Sequence, residues 1–156
     1  MLTHLDKTGS PTMVDVSGKQ VTHRTATAQS IVVLPDEVLQ LLTDGELQTK
    51  KGAVFQTAII AGVMAAKKTG DLIPLCHPLG MDNCRVTINI SDNNEVVIEC
   101  TASISAKTGI EMEALVGASI AALTVYDMCK AMSHDIVIKE TKLIAKTGGK
   151  RDFKRS

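Results

Sequence analysis

"CRVTINISDNNEVVIECTASISA", residues 84 to 106, is the stretch on which the fold turns. Cys84, Val86, Ile88 and Ile90 alternate with polar neighbours, Asp92, Asn93 and Asn94 offer turn chemistry, and Val96, Ile98, Cys100, Ala102, Ile104 and Ala106 resume the alternation. A period of two sends each apolar set to one face, so the stretch predicts a β-hairpin with one side on a core. Downstream lies "GIEMEALVGASIAALTVYDMCKAMS", residues 109 to 133. It predicts one long helix from about Ile110 to Met132, charged only near its ends, where Gly117 and alanine-rich turns invite close contact. A strand over residues 136 to 145 follows.

Upstream, residues 51 to 68 predict a helix that is apolar almost all round and ends in Lys67 and Lys68 before Gly70, a favourable charge and cap arrangement. Such a helix is expected to be buried on several sides. Before it, Pro35 opens a short helix with Val38, Leu41 and Leu42 on one face and Gly45 after it. In residues 19 to 34, Ala26, Ala28, Val32 and Leu34 alternate with polar positions as a half-buried strand. The order strand, two helices, strand, strand, helix, strand is that of an α+β, ferredoxin-like split βαβ sandwich with an added helix.

The chain has 156 residues, of which 44% are hydrophobic but only 2% aromatic, with no Trp. One domain follows, with a core of small aliphatic residues that lets helices approach closely. Residues 1 to 13, with Gly9, Ser10 and Pro11 and no periodicity, read as a mobile arm, and 14 to 156 as a single catalytic domain. Seventeen basic residues balance seventeen acidic ones, which removes the diffuse positive field of nucleic-acid binders. No basic segment precedes an apolar run, and the charge-free stretches at 54 to 66 and 114 to 126 are shorter than a membrane span. The expectation is a soluble cytoplasmic protein with no nucleic-acid or membrane partner.

"LIPLCHPL", residues 72 to 79, sets Cys76 and His77 between Pro74 and Pro78. Each proline pushes the residue before it toward extended backbone, so the segment reads as a stiff loop. Neighbours on an extended chain point to opposite sides, which puts His77 in a pocket and Cys76 in the core. A zinc site needs ligands that His4, His23 and His134 do not supply by spacing, and Cys76, Cys84, Cys100 and Cys129 form no CxxC pair; they read as reduced, mostly buried thiols. No GxxxxGK[ST] loop or GxGxxG fingerprint is present.

Glu111 and Glu113 stand about 200° apart on a helix, so one can face a site that the other cannot easily join. Both also favour a helix N-terminus for ordinary stability reasons. Asp127 and Lys130, at i and i+3, share a face and fit either a proton-shuttling pair or a plain surface ion pair. Arg24, Lys50, Lys51, Lys67, Lys68, Lys107, Lys130, Lys146, Lys150 and Arg151 stand at element ends. A converging subset would suit a polyphosphate; a scatter would be a solvated surface.

"MVDVSGK" (13 to 19), "KKGAVFQTAIIAGVMAAKKTGDLIPLCHPL" (50 to 79), "GIEMEALVGASIAALTVYDMCKA" (109 to 131) and "LIAKTGGK" (143 to 150) together resemble the molybdenum-cofactor biosynthesis protein C family of cyclic pyranopterin monophosphate synthases. The resemblance implies a lyase that rearranges 3',8-cyclo-7,8-dihydro-GTP to cyclic pyranopterin monophosphate with release of diphosphate. It also implies a ferredoxin-like fold and a homo-hexamer built from dimers. No redox cofactor is expected, and Mg²⁺ can accompany the triphosphate. Carried over by position, Asp127 and Lys130 match the catalytic pair. Leu75, Cys76, His77, Met112 and Glu113 match substrate-contacting segments, Lys51, Glu111 and Lys146 match further pocket residues, and Arg24 joins them as a substrate-binding cation. The tail departs, reading "GGKRDF" where the family pattern has Gly-Gly-Lys-Ser-Gly-Asp-Phe, so Lys150 and Arg151 inherit no role. A non-catalytic oligomer that binds a small anion is the alternative of another class.

Overall fold

The computed structural model describes residues 4 to 156; the first three residues of the expected arm lie outside it. Its order is β1 (Thr22–Val33), α1 (Asp36–Leu39), β2 (Gln48–Thr49), β3 (Gly52–Ala53), α2 (Val54–Lys67), α3 (Thr69–Leu72), β4 (Asn83–Ile90), β5 (Val96–Ala106), α4 (Glu111–Cys129), β6 (Val137–Thr147) and β7 (Phe153–Lys154). The main sheet runs β4-β5-β1-β6-β7 and every pairing in it is antiparallel. With β1 between β5 and β6 and the β4–β5 hairpin at one side, this is the ferredoxin-like arrangement, extended by β7.

The alternation in β1 does what its period requires. Ala26, Ala28 and Val32 are buried beneath the helices, opposite Ala102, Cys100 and Val96 of β5. Arg24 continues the same row at its open end, opposite Ile104. The strand begins at Thr22 rather than Lys19, because ladder pairing starts only at Thr22 with Ala106. Two register shifts along the β1–β6 ladder, at Thr27/Ala28 and Ile31/Val32, are β-bulges that bend β6.

α2 and α4 lie side by side on one face of the sheet. Their contact uses the missing side chains of Gly62 and Gly117. A Cβ on Gly62 would stand 2.9 Å from the Gly117 carbonyl oxygen, and one on Gly117 would stand 2.6 Å from Cys100 Sγ. Both are closer than carbon atoms approach, so the alanine-rich sequence delivers the tight packing it promised. Ile98, Val96, Val125 and Ile110 are fully buried in this layer, each contributing about 1.5–3 kcal/mol. Among the described residues α4 alone has the length and hydropathy of a membrane span, and it is instead the core helix here.

The expectation for α2 needs correction. Ile60 and Met64 are 59% and 53% exposed, as is Leu123 of α4 at 52%. One sheet and one neighbouring helix cover only part of an all-round apolar helix, and no described residue of the chain covers Ile60 or Met64. The small hairpin β2–β3, α3 and β7 are further elements that periodicity cannot detect, being two to four residues long.

Candidate active site

A cavity of about 830 Å³ opens at the N-terminal end of α4. The row of β1 brings Arg24 into it, β6 brings Lys146 from opposite Ala26, the first turn of α4 supplies Glu111, Met112 and Glu113, and the proline-fenced loop supplies Leu75, Cys76 and His77. Thus eight of the residues expected at the site meet in one place. Arg24 is aimed by its Nε, which donates to the Ala106 carbonyl at 3.1 Å. Lys146 Nζ stands 3.8 Å from Glu111 Oε1.

Two expectations fail here. Glu111 and Glu113 both line the cavity, because the cavity wraps around the end of the helix rather than along one side, so an angle about the axis does not separate them. Cys76 also lines it instead of the core. Its backbone N–H closes a turn onto the Ile73 carbonyl at 3.2 Å, with Pro74 at the position such turns favour, so the rule for extended neighbours does not apply.

Glu113 is only 3% exposed. Burial first, and the Glu111 charge in addition, push its carboxyl above the ordinary range. The Cys76 thiol is likewise pushed up, by burial first and then by the Glu113 charge. His77 Nε2 lies 2.6 Å from the Val14 carbonyl oxygen. A carbonyl can only accept, so Nε2 carries the proton and donates it there, leaving Nδ1 for another partner. His77 thereby ties the segment after residue 13 across the loop.

That segment and the tail hold what the sequence reading left without a role. Lys19 and Lys150 line the cavity, as do Gly148 and Gly149. Gly148 has φ +89 and a Cβ there would collide with the His23 carbonyl. Its own carbonyl accepts from Thr22 Oγ1 at 2.7 Å and its N–H donates to Asp152 at 3.2 Å. β7 then pairs with Ala145 and Lys146, so the tail doubles back and sets Lys150 at the cavity. The Lys-Thr-Gly-Gly run was the only signal available for this.

The remaining three residues form a separate group at the other end of α4. Asp127 Oδ2 is 3.0 Å from Lys51 Nζ, and Oδ1 is 3.1 Å from Lys130 Nζ; all three side chains are about half exposed. Lys51 first and Lys130 second hold the Asp127 carboxyl below its ordinary range. Glu113 and Asp127 are 14 positions apart on one helix, roughly 21 Å at 1.5 Å per residue. Among the described residues no group of three or more His, Cys, Asp or Glu is placed to hold a metal ion.

Sheet order and cavity together define a small α+β protein with a cation-lined pocket for a small molecule. Residues 13 to 149 match the family model of the MoaC family, and the chain belongs to that family. A protein of Xanthomonas campestris pv. campestris (strain B100) named cyclic pyranopterin monophosphate synthase is 56% identical over 152 residues, 97% of this chain and 92% of that protein. The protein of the same name from Xanthomonas oryzae pv. oryzae (strain MAFF 311018) is 55% identical over the same shares. A molybdenum cofactor biosynthesis bifunctional protein of Synechocystis sp. (strain ATCC 27184 / PCC 6803 / Kazusa) is 53% identical, covering 100% of this chain and 46% of its own length.

Proposed function

We propose that this chain is a lyase that rearranges 3',8-cyclo-7,8-dihydro-GTP to cyclic pyranopterin monophosphate and diphosphate. The observation that carries the reading is the cavity itself. Arg24, Lys146, Lys19 and Lys150 meet around it beside a buried carboxyl, in a chain more than half identical to proteins bearing that enzyme's name. Closing a cyclic phosphate while expelling diphosphate develops negative charge, which clustered cations oriented beforehand stabilise. Opening and reclosing the purine ring needs proton transfers, which Asp127 and Lys130 are suited to supply with Lys51 beside them. No redox cofactor takes part, and Mg²⁺ can accompany the triphosphate.

One small substrate does not reach both ends of α4 within a chain. We assign the complete site to two chains, with the Glu113 end of one α4 facing the Asp127 end of its partner across a two-fold axis, in a cytoplasmic hexamer built from such dimers. The exposed Ile60, Met64 and Leu123 offer an apolar contact for that pairing. The test is incubation of the purified protein with the cyclic nucleotide and an assay for diphosphate. Stoichiometric diphosphate and the cyclic monophosphate support the reading, and binding without turnover sinks it in favour of an anion-binding oligomer.

A further inference from the structure

Lys51 sits at the tip of a hairpin that has very little to hold it. Only two residue pairs, Gln48 with Ala53 and Thr49 with Gly52, make up the β2–β3 ladder, and an isolated ladder this short is not stable in water. α2 follows at once, and its N-cap, Ala53, has no side chain to satisfy the first free N–H groups of the helix, a gap that must be filled from elsewhere.

Glu46 fills both gaps. Its Oε1 accepts from the Leu47 N–H and the Phe55 N–H, each at 2.8 Å, and its Oε2 accepts from the Gln56 N–H at 3.0 Å. One carboxylate therefore fastens the entry of the hairpin to its exit. Hydrogen bonds to an ionised acceptor are roughly twice as strong as neutral ones, and the N-terminal end of α2 adds its favourable dipole. Glu46 is itself fixed by reciprocal backbone bonds with Thr43, and the Leu47 carbonyl accepts from the Val54 N–H at 2.9 Å. At the tip, Thr49 Oγ1 accepts from the Lys51 N–H at 3.1 Å and donates to the Gly52 carbonyl at 3.3 Å. From this clamp Lys51 reaches Asp127, 76 positions away, at 3.0 Å.

We propose that Glu46 is a positioning residue for the reaction, a carboxylate clamp that closes residues 46 to 56 into a rigid support and holds the Lys51 ammonium against Asp127. This rests on the reading of Lys51, Asp127 and Lys130 as a working group. A plain helix cap needs only the exit of the hairpin; Glu46 also takes the N–H at its entry, so removing it frees the tip.

The experiment compares Glu46→Ala, Glu46→Gln and Lys51→Ala in the full chain, reading the Asp127 carboxyl by ¹³C NMR titration alongside kcat/KM and thermal melting. The expected result is that Glu46→Ala moves the Asp127 midpoint upward, in the same direction as Lys51→Ala, and adds no further movement on the Lys51→Ala background. With it, kcat/KM falls about 10²-fold, the scale of a misplaced reacting group, and Glu46→Gln, which keeps one acceptor oxygen, falls between. An unmoved Asp127 midpoint with unchanged kcat/KM, whatever happens to the melting temperature, reduces Glu46 to a helix cap and overturns the proposal. If Glu46→Ala does not fold, Glu46→Gln decides on the same criteria. Because the titration needs no turnover, a wild type that releases no diphosphate would sink the proposed reaction while the Asp127 midpoint still tests the clamp.

Discussion

The two ends of α4 each hold a carboxyl group and treat it in opposite ways. At the N-terminal end Glu113 is buried beside Glu111, and both burial and that neighbour favour its neutral form. At the C-terminal end Asp127 is half exposed between two ammonium groups that favour its charge. Paired groups whose surroundings drive their proton affinities apart are how one site obtains both an acid and a base. The contrast also bears on stability: exposed ion pairs contribute little to folding, so the three converging charges add little to the fold, and the catalytic use proposed for them can be tested without unfolding the protein.

The most severe test of that contrast is Lys130→Ala. A positioned acid-base group contributes about 10²- to 10⁴-fold to rate, whereas several lysines share the phosphate charge, so kcat should collapse while substrate affinity changes little. Equal losses in both would make Lys130 a phosphate anchor. A smaller effect is expected on mixing refolded Glu113→Ala and Lys130→Ala chains. Half of random dimers are hybrids with one intact site of two, which returns activity to about a quarter of wild type. A mixture as inactive as its parents, with hybrids demonstrated, would place each site within a single chain.

The two carboxyls should also part in their response to pH. Because the folded state holds the Glu113 proton more tightly than the unfolded one, its cost is absent in acid and grows as pH rises past the ordinary carboxyl range near about 4.3. Glu113→Gln should therefore melt higher than wild type at neutral pH, with the gap closing in acid; a gap independent of pH would remove burial of the charge as its cause. Asp127 runs the other way and more weakly. Its depressed proton affinity lends stability above about 3.9 that is lost as pH falls through the folded value. Asp127→Asn should lower the neutral-pH melting temperature only slightly, and a large drop would show that the exposed group is structural after all.

Periodicity carried the hairpin of β4 and β5, the long α4 and the row Ala26, Ala28 and Val32, because alternation and helical spacing act over a few neighbouring residues. It misjudged Glu111 and Glu113, since an angle on a helix says nothing once a cavity wraps around the helix end. Cys76 was misplaced because a turn closed by Ile73 interrupts the extended backbone that prolines favour. Glu46 gave no signal at all. Its three partners are main-chain N–H groups, which look alike at every position in a sequence.

By itself the sequence determined the order of the longer strands and helices, the small-residue faces that permit close helix packing, the balanced charge and the motifs that carry the family resemblance. Each is a property of local spacing or residue type. Only the tertiary structure decided which charges meet: Lys51 with Asp127, Lys146 with Glu111, and Glu46 with the start of α2. Those meetings depend on strand register, on the bend of β6 and on how far two glycines let α2 and α4 approach. Such quantities arise from contacts between residues distant in the chain, and no window along it contains them.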